Sequence, residues 1–539
     1  MSIKSGVHSG PPAQEEFTAE EAAVLSRYVS NVDKPVFALM NLPEVVKGAL
    51  FARYSRSNKS LRRLMLEEFR DDLPQSSNIS SVSDRADSLY DKVFGEYGDD
   101  SIAQLGGVHL ACEGVSNILT KVLERGRLIS CLEQSTRYIA YDDKISDTWR
   151  CYSPEGYPSV LKAEFSDYVD QAFGTYSSLL APMIAFYADR NPRPVGASAA
   201  AHSRAVRAKA LDALRGLLPA ATRSNLGLYG SGQAYEALLI RMRASALPEV
   251  REYSDMILHE LRKVIPSFMT RVDRADRGVA WSAYLENNKL QTELATRRAL
   301  SASVRDADQQ VEVQLVDFDP DGEMKVIAAA MYTSSGLSDE SLLQATRAMS
   351  NDLRADVLNS YVGERGNRRH KPGRAFERTR YRFDVLTDYG AFRDLQRHRI
   401  LSLDWQPLGV ERGYDTPADV VEAGFGPQWD EVMLTAASLF AKISDQVNPE
   451  SAQYVVPMAY RIRFYMDMNA REAMHVLELR TAPQGHSSYR RVCQEMHRLI
   501  EDEAGHGLIA AAMSFVNHDS VNLERLESES AVEVSKSGE

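Results

Sequence analysis

The stretch Leu123–Tyr138 reads LERGRLISCLEQSTRY, and a second stretch, Leu395–Tyr414, reads LQRHRILSLDWQPLGVERGY. Both contain Arg-x-Arg, then two aliphatic residues and a serine, and both end in an arginine followed by tyrosine or Gly-Tyr. A motif that returns at a distance far longer than one helix or strand indicates a duplicated structural unit. This pair of stretches therefore predicts that the chain folds as two related copies.

A second pair of matching blocks follows in the same order. LRGLLP (Leu214–Pro219) precedes Arg241 in the first half, and QYVVP (Gln453–Pro457) precedes Arg480 in the second half at nearly the same spacing. A single match is also compatible with an irregular two-domain protein whose arginines coincide by chance. Two matches in order favour a tandem duplication.

Hydrophobic periodicity gives the fold class. Tyr381, Phe383 and Val385 alternate with polar residues, which predicts a half-buried strand. Helical spacing predicts a helix from Met468 to Leu479 and a long final helix from Tyr489 to about Phe515. Because strands and helices alternate unevenly, we predict an α+β fold with a mainly antiparallel sheet flanked by helices.

A polar and charged stretch lies between the two halves, before a predicted strand at Val311–Val316. We place the boundary between the copies in this stretch. The predicted segments are a flexible N-terminal arm (1–34), a first domain (35–275), a linker (276–308), a second domain (309–516) and an acidic tail (517–539).

Composition excludes several classes of protein. The chain has 539 residues, 44% hydrophobic and 26% charged, with a net charge of −12, which is typical of a globular protein that does not bind nucleic acid through its overall charge. No segment approaches the roughly 20 apolar residues of a membrane span, and the N-terminus has no apolar signal region. Four cysteines without a CxxC pair make no disulfide framework. We therefore expect a cytoplasmic protein that binds neither membranes nor nucleic acid.

Arginines dominate the candidate chemistry. The second half carries Arg397-His398-Arg399, Asn469 and Arg471, and Arg480. A guanidinium group binds phosphate or the edge of a pyrimidine through paired hydrogen bonds. The alternative for the RHR motif alone is a basic helix end at the surface. In the first half, the turn Glu133–Tyr138 combines a serine hydroxyl, amides and an arginine that together suit a dianion, or it is simply a polar turn.

Other motifs carry less information. Cys493 and His497 lie four residues apart on a predicted helix, but two ligands are weak support for a metal, and we predict no metal site. The stretch Gly227–Gly232 has GxxGxG spacing, which does not match the dinucleotide-binding fingerprint. Cys131 is flanked by aliphatic residues and fits buried packing.

Taken together, the RHR motif, the Ser…Arg-Tyr turn, Asn-x-Arg and LxLR resemble flavin-dependent thymidylate synthases. The resemblance covers about residues 35–270 and 310–510, as two diverged copies. It implies tetramers of α/β subunits with active sites shared between subunits. It also implies methylation of dUMP at carbon 5 with FAD, NADPH and methylenetetrahydrofolate.

The resemblance assigns roles residue by residue. It implies flavin contacts for seven residues: Arg397, His398, Arg399, Asn469, Arg471, His475 and Ser101. It implies nucleotide contacts for Glu133, Ser135, Arg137, Tyr138, Arg215, Arg397 and Arg480. Arg480 is the implied catalytic residue, which would polarise the uracil ring, and His486 falls where a glutamine of the ligand pocket is expected.

Each copy departs from the family pattern in a different place. Gly126 replaces the motif histidine of the first copy, which also has Gly230 and Gly232 where Asn and Arg are expected. Pro407, Gln453 and Asp394 replace a serine, an arginine and a glutamine in the second copy. This complementary loss leads to the hypothesis of a composite site formed between the halves, in a homodimer that corresponds to a pseudo-tetramer. Two alternatives stay open: a non-catalytic flavin- or nucleotide-binding paralogue, and a methyltransferase for a different pyrimidine nucleotide.

Overall fold

A computed structural model gives the fold. It describes residues 16–33, 37, 39–44, 46–47, 50, 59–70, 104, 106–137, 139–145, 147–195, 197–300, 311–519, 523 and 526. All structural statements below refer to these residues. Of the predicted site residues, Ser101 and Tyr138 lie outside them.

The first half contains eight helices and three strands within the described ranges. They are α1 (Ala19–Leu25), α2 (Leu61–Glu67), β1 (Gly107–Ser116), α3 (Asn117–Leu123), β2 (Ser130–Glu133), α4 (Ser159–Arg190), α5 (Ala199–Leu214), β3 (Arg223–Ser231), α6 (Gly232–Arg243), α7 (Pro248–Val264) and α8 (Ala280–Ala299). A short 3₁₀ helix, Arg215–Leu217, precedes β3.

The described part of the second half contains four strands. Its elements are β4 (Val313–Phe318), α9 (Gly322–Ser335), α10 (Asp339–Ala348), α11 (Asn351–Val362), β5 (Arg380–Asp388), α12 (Tyr389–Leu395), β6 (Ser402–Trp405), α13 (Ala418–Glu422), α14 (Gly426–Gln446), α15 (Pro449–Ala452), β7 (Arg461–Asn469), α16 (Ala470–Arg480), α17 (Ser487–Asp502) and α18 (Gly507–Ala512). A 3₁₀ helix, Gln453–Val455, precedes β7.

The sheets confirm the predicted fold class. Strand order is β1-β3-β2 in the first sheet and β4-β5-β7-β6 in the second. In the second sheet β4 pairs with β5, β5 with β7 and β6 with β7, all antiparallel. On β5, Tyr381, Phe383 and Val385 are fully buried, as their alternation predicts. The protein is α+β with antiparallel pairing and flanking helices.

The two copies share element order and element length. α3 and α12 both have seven residues, β3 and β7 both have nine, and each of these strands follows a 3₁₀ helix of three residues. The strand order β1-β3-β2 corresponds to β5-β7-β6, with β4 added at one edge. The tandem repeat predicted from the motifs is therefore present in the fold.

Helix caps correct two predictions about the second motif block. Asn469 caps α16 by accepting the Glu472 amide, so Met468 and Asn469 end strand β7 and the helix begins at Ala470 rather than Met468. Ser231 caps α6 in the same way. Since equivalent caps fix the register, the first-copy equivalent of Asn469 is Ser231, not Gly230.

The predicted final helix is interrupted. α17 ends at Asp502 and α18 begins at Gly507. Gly505, between them, has φ of +69°, a left-handed conformation that favours glycine and stops an α-helix. The periodicity of the apolar residues continues across this break, which is why the sequence predicted one helix.

The described residues form two compact units by their contacts. The first comprises the described residues within Met1–Ala111, Leu128–Cys131 and Gly227–Ala299, and the second comprises those within Cys112–Arg127, Leu132–Leu226 and Leu300–Glu539. Trp429, Phe383 and Phe392 belong to the core of the second unit, and Tyr235 and Phe268 belong to that of the first. The second unit contains residues of both sequence copies.

The predicted domain boundaries remain predictions. Within the predicted arm, residues 19–25 form helix α1, with Thr18 as its cap. Within the predicted linker, helix α8 spans Ala280–Ala299 and has no buried residue. Among the described helices none is both long and apolar enough to cross a membrane.

Candidate active site

Equivalent segments of the two copies contact each other around a local two-fold axis in the second unit. Pro219 and Pro457, which are equivalent residues, form an antiparallel bridge. The amide that follows each proline donates a hydrogen bond to the carbonyl that precedes the other, at 2.8 and 2.9 Å. Reciprocal contacts of this kind are the signature of a two-fold relation. Groups from both copies are thereby brought to the same place.

Five arginines meet near this axis, and we call them the arginine cluster: Arg137, Arg215, Arg393, Arg397 and Arg480. The first two come from the first copy, and the other three come from the second copy. They face three carboxylates, those of Glu133, Asp212 and Asp394. The cluster therefore has two formal positive charges in excess.

Asp394 lies at the centre of the cluster. Its carboxylate pairs with Arg397, lies 3.5 Å from Nη1 of Arg215 and lies 3.7 Å from Nη1 of Arg480. Burial alone would raise its pKa, but these guanidinium groups outweigh burial and hold the pKa of Asp394 well below its usual range. Asp394 thus links arginines of both copies as a permanent anion.

Glu133 ends strand β2 and is almost fully buried, with 3% of its side chain exposed. Arg393 donates to Glu133 Oε1 at 2.6 Å, and Lys121 Nζ lies 3.3 Å from Oε2. Burial opposes ionisation of Glu133, but Arg393, Lys121 and Arg397 prevail and lower its pKa to about 2. Glu133 therefore anchors the turn that follows it to the second copy.

That turn places Ser135 beside the cluster and contributes Arg137 to it. The Ser135 hydroxyl accepts the Arg137 amide at 3.2 Å. Arg137 donates through Nε and Nη2 to both carboxylate oxygens of Asp212, at 2.7 and 2.6 Å, and through Nη1 to the Tyr489 hydroxyl at 3.0 Å. The Tyr489 ring centre also lies 5.5 Å from the Arg480 guanidinium and 5.9 Å from that of Arg137, so the ring contacts both arginines.

Arg215 offers an unused donor. The residue is 3% exposed, and its Nη2 is buried without a hydrogen-bond partner in the described structure. Gly390 makes room for it, since a Cβ there would lie 3.2 Å from Arg215 Nε and Nη2. A buried unsatisfied donor is costly unless a ligand or water accepts from it.

The cavity inside the cluster has a volume of about 20 Å³. It is lined by residues of both copies: Glu133, Gln134, Ser135, Thr136, Arg137, Arg215, Gly390, Arg393, Asp394 and Arg397. This is room for about one water molecule. A nucleotide phosphate therefore requires the groups that line this cavity, which do not include Arg480, to move apart.

Next to Arg480 lies a pair of buried histidines. Arg480 Nε donates to His398 Nε2 at 2.9 Å, and the rings of His398 and His475 are 5.5 Å apart. Burial, Arg480 and His475 hold the pKa of His398 well below its usual range, and burial, Lys371 and nearby arginines lower that of His475 to about 4. Both rings are therefore neutral at physiological pH.

His398, Glu472 and His475 also have the residue types of a metal site, with ligand atoms within 4.8 Å of one another. The surroundings oppose a cation, because Arg480 already occupies His398 Nε2 and Lys371 and Arg471 lie beside Glu472. Coulomb repulsion from three cations disfavours a divalent ion here.

The other predicted flavin residues have different partners. The Asn469 carboxamide caps α16, and Arg471 donates to the carbonyl of Pro372 and lies 3.6 Å from Glu377. Arg399 lines a separate cleft of about 320 Å³. His398 of the RHR motif and Arg125 and Arg127 of the first copy's RGR motif line the same cleft, as do Trp405 and Tyr465.

The position related to the cluster by the two-fold axis lacks several of the cluster's charged residues. Trp405 occupies the place of Glu133, and Pro407 that of Ser135. Gln453, in place of Arg215, accepts the amide of Leu408 through its Oε1 at 3.0 Å. Met242, and not Arg241 as the sequence spacing predicted, has the position on α6 that Arg480 has on α16. The second position thus lacks the equivalents of Arg215 and Arg480.

Several site residues lie outside the repeated motifs. Arg393 and Asp212 belong to none of these motifs, and Asp394 stands out in the sequence only as a departure from the family pattern. A helical signal was available, since Arg393 lies four residues before Arg397 and Asp212 lies three residues before Arg215, spacings that place side chains on one helix face. The His486 ring hydrogen-bonds the Asp212 carbonyl at 3.4 Å.

Comparison with known proteins adds the following. The profile of a family described as thymidylate synthase complementing protein matches residues 47–267 and again 314–504. A UPF0159 protein of Chlamydia pneumoniae is 38% identical over 526 residues, covering 96% of this chain and 98% of its own. A flavin-dependent thymidylate synthase of Haloarcula marismortui is 22% identical over 227 residues, covering 36% of this chain and 91% of its own. Among solved structures, the UMP/dUMP methylase PolB of Streptomyces cacaoi, bound with 5-Br dUMP, aligns with a TM-score of 0.30 at 19% identity, covering 37% of this chain and 94% of that chain.

Proposed function

The chain belongs to the family of thymidylate synthase complementing proteins, and from this premise we propose that it methylates dUMP at carbon 5, using FAD, NADPH and methylenetetrahydrofolate. The proposed site is composite, and each chain has one. The observation that carries the proposal is the convergence of first-copy Arg137 and Arg215 with second-copy Arg397 and Arg480 around Asp394.

The charge of the cluster supports a phosphorylated substrate. Its excess of two positive charges matches a phosphate dianion, although the whole chain is acidic. The unpartnered Nη2 of Arg215 supplies a donor that awaits an acceptor. Ser135 and the turn amides add neutral donors of the kind that hold phosphate oxygens. Tyr138, expected at the same ligand, stays part of the proposal.

Arg480 is the proposed catalytic residue. Reaction at carbon 5 makes the uracil ring electron-rich, and negative charge develops on its oxygen and nitrogen atoms. A guanidinium group held in advance by His398 and Tyr489 stabilises that charge without reorganising. An effect of this type contributes about 3 kcal/mol to a reaction barrier, the size known for one oxyanion-hole donor.

The chemistry of the donor groups fits a flavin dinucleotide. Arg399, Arg125 and Arg127 supply guanidinium groups for a pyrophosphate, and Trp405 and Tyr465 supply aromatic walls in the same cleft. Arg397, His398, Asn469, Arg471 and His475 are the other proposed flavin residues, with Ser101 from the first copy. When bound, FAD would supply hydride chemistry that amino-acid side chains lack.

Tritium release from dUMP labelled at carbon 5, measured with NADPH and methylenetetrahydrofolate, tests the proposal. The wild type is expected to release tritium and to purify with flavin absorbance. Arg480→Ala should lose release by about 100-fold or more while FAD stays bound. Ser135→Ala should weaken dUMP binding. Ser178→Ala, on the exposed face of α4, is the matched control and should change neither quantity.

The results of these assays distinguish the proposed function from its two alternatives. A yellow protein that binds dUMP without releasing tritium is the non-catalytic paralogue. Release from another pyrimidine nucleotide, but not from dUMP, identifies a different substrate. Unchanged dUMP affinity in Ser135→Ala contradicts the composite site, and undiminished turnover of Arg480→Ala refutes its catalytic role.

A further inference from the structure

Glu472 has an unusual setting for its position on a helix. It is the third residue of α16, and its amide donates to the Asn469 cap. A glutamate here often bonds back to the amide of the cap residue. Instead, Glu472 Oε1 lies 3.8 Å from His398 Nδ1, and in the described structure no side chain donates a hydrogen bond to its carboxylate. Only 9% of the side chain is exposed.

The contact between Arg480 and His398 shows which tautomer the histidine adopts. Arginine is always a donor, so His398 Nε2, which receives Arg480 Nε–H at 2.9 Å, carries no proton. The proton of the neutral ring is therefore on Nδ1, the atom that faces Glu472. The opposite tautomer would place two N–H groups against each other and push the Arg480 guanidinium away.

The Arg480 guanidinium has three supports. They are His398 Nε2, the Asp394 carboxylate 3.7 Å from Nη1, and the ring of Tyr489 at 5.5 Å. Of these, only the histidine accepts a hydrogen bond from Nε, and therefore sets the direction of the guanidinium plane. A group that stabilises the Nδ1–H tautomer of His398 therefore also stabilises this orientation of the Arg480 guanidinium plane.

Glu472 is well placed to hold it. Its charged neighbours are Lys371, from the loop before β5, and Arg471, on its own helix, together with the neutral rings of His398 and His475. A carboxylate beside Nδ1–H stabilises that tautomer, as a buried acid does for the histidine of a catalytic triad.

We propose that Glu472 is a positioning residue, which acts through the His398 tautomer to aim the Arg480 guanidinium at the pyrimidine. The proposal rests on the proposed function, since Arg480 is the group being aimed. It gives Glu472 a role in turnover and not in nucleotide affinity, because the cluster that holds the phosphate does not include it.

The pH dependence follows from the burial of Glu472. Burial raises its pKa to about 7, against the opposing effect of Lys371 and Arg471. The carboxylate is therefore ionised above pH 7 and neutral below it. Because only the ionised form holds the Nδ1–H tautomer firmly, turnover is expected to fall as the pH drops through 7.

The test is Glu472→Gln in the full-length protein, with Glu431→Gln as the control. Glu431 is an exposed glutamate of α14. We expect kcat of Glu472→Gln at pH 8 to be lower by about tenfold, with the Kd for dUMP within twofold of wild type. The acid limb near pH 7 should vanish from its kcat profile. Glu431→Gln should match wild type throughout.

A readout that needs no turnover separates this proposal from the proposed function. In ¹⁵N-histidine NMR spectra, the His398 ring signal, assigned by its loss in His398→Gln, should shift between pH 6 and 8 in wild type and not in Glu472→Gln. An unshifted signal, or an unchanged kcat in Glu472→Gln, overturns the positioning role. If the signal shifts but the wild type releases no tritium, the proposed function fails and the positioning role fails with it.

Discussion

Asp394 competes, as a permanent anion, for the arginines that we assign to the substrate phosphate. Replacing Asp394 with Asn removes one negative charge and raises the excess charge of the cluster from two to three. We expect Asp394→Asn to bind dUMP about tenfold more tightly at low salt, which corresponds to ~1.4 kcal/mol. Calorimetric titration at low and high salt measures the change, and the gain should shrink as salt rises.

The matched control is Asp445→Asn, which removes the same charge from the exposed end of α14. It should bind dUMP like wild type. Since Asp394→Asn leaves buried arginines without their partner, its melting temperature without ligand should also fall. Weaker binding of dUMP by Asp394→Asn at every salt concentration would mean that Asp394 orders the site more than it competes for it.

Glu133 provides a second prediction at this scale, concerning stability. Its pKa is lowered to about 2 by Arg393, Lys121 and Arg397 despite burial. A lowered folded-state pKa gives stability that is fully present above the ordinary glutamate pKa and is lost as the pH falls towards 2. Because Glu133→Gln breaks a buried ion pair, it should cost about 3–5 kcal/mol at pH 7 and less near pH 3.

Thermal unfolding at pH 7, 4 and 3 measures this effect. Glu495→Gln, which breaks the exposed pair with Arg498, serves as the control and should change stability by less than about 1 kcal/mol. Equal melting temperatures for Glu133→Gln and wild type at pH 7 would show that the buried pair adds no net stability.

At the scale of elements, the sequence predicted which segments form strands and helices better than it predicted where they begin and end. The alternation of Tyr381, Phe383 and Val385 identified β5 because burial on one face follows directly from period two. The start of α16 was misplaced because Met468 fits both the strand and the helix, and the decision is made by the Asn469 carboxamide. Gly505 was missed as a helix stop because only its backbone conformation reveals it.

The contribution of the Asn469 cap of α16 to the stability of the protein can be tested. Asn469 accepts the Glu472 amide at 2.9 Å, so Asn469→Ala should destabilise the protein by about 1 kcal/mol. Asp is an equally good cap, and Asn469→Asp should melt like wild type. Thermal unfolding of both variants is the measurement. A similar loss in both variants would assign the effect to the amide group instead of the cap.

At the scale of the whole molecule, the duplication could be predicted from the sequence, whereas the ion pairs could not. The repeated motifs and their order gave the two copies, and their unequal losses gave the hypothesis of a composite site. The partners of Arg137 and Arg393, Asp212 and Glu133, depend on how distant parts of the chain pack. Such packing leaves no local pattern except the spacing of charges on single helices.

Assembly follows from the same duplication. The contact between Pro219 and Pro457 is an interface between copies within one chain. If the family arrangement of four units with shared sites is kept, two chains complete it. We therefore expect light scattering to give twice the mass of one chain at micromolar concentration. A mass of one or four chains would contradict the pseudo-tetramer.

The asymmetry of the two copies sets the number of sites. The arginine cluster has Glu133, Ser135 and Arg215 where the position related by the two-fold axis has Trp405, Pro407 and Gln453. With Gln453 and Met242 in place of Arg215 and Arg480, that position lacks two of the guanidinium groups that we assign to the nucleotide. The loss of each charged hydrogen bond costs about 1.5–3 kcal/mol. We therefore expect one dUMP per chain in equilibrium dialysis, at concentrations up to 100 times the Kd.

Arg215→Ala should weaken the one site, and Gln453→Ala should leave it intact. Two equivalents of dUMP per chain would contradict this prediction, because a second dUMP would need a second set of phosphate ligands at the position related by the two-fold axis.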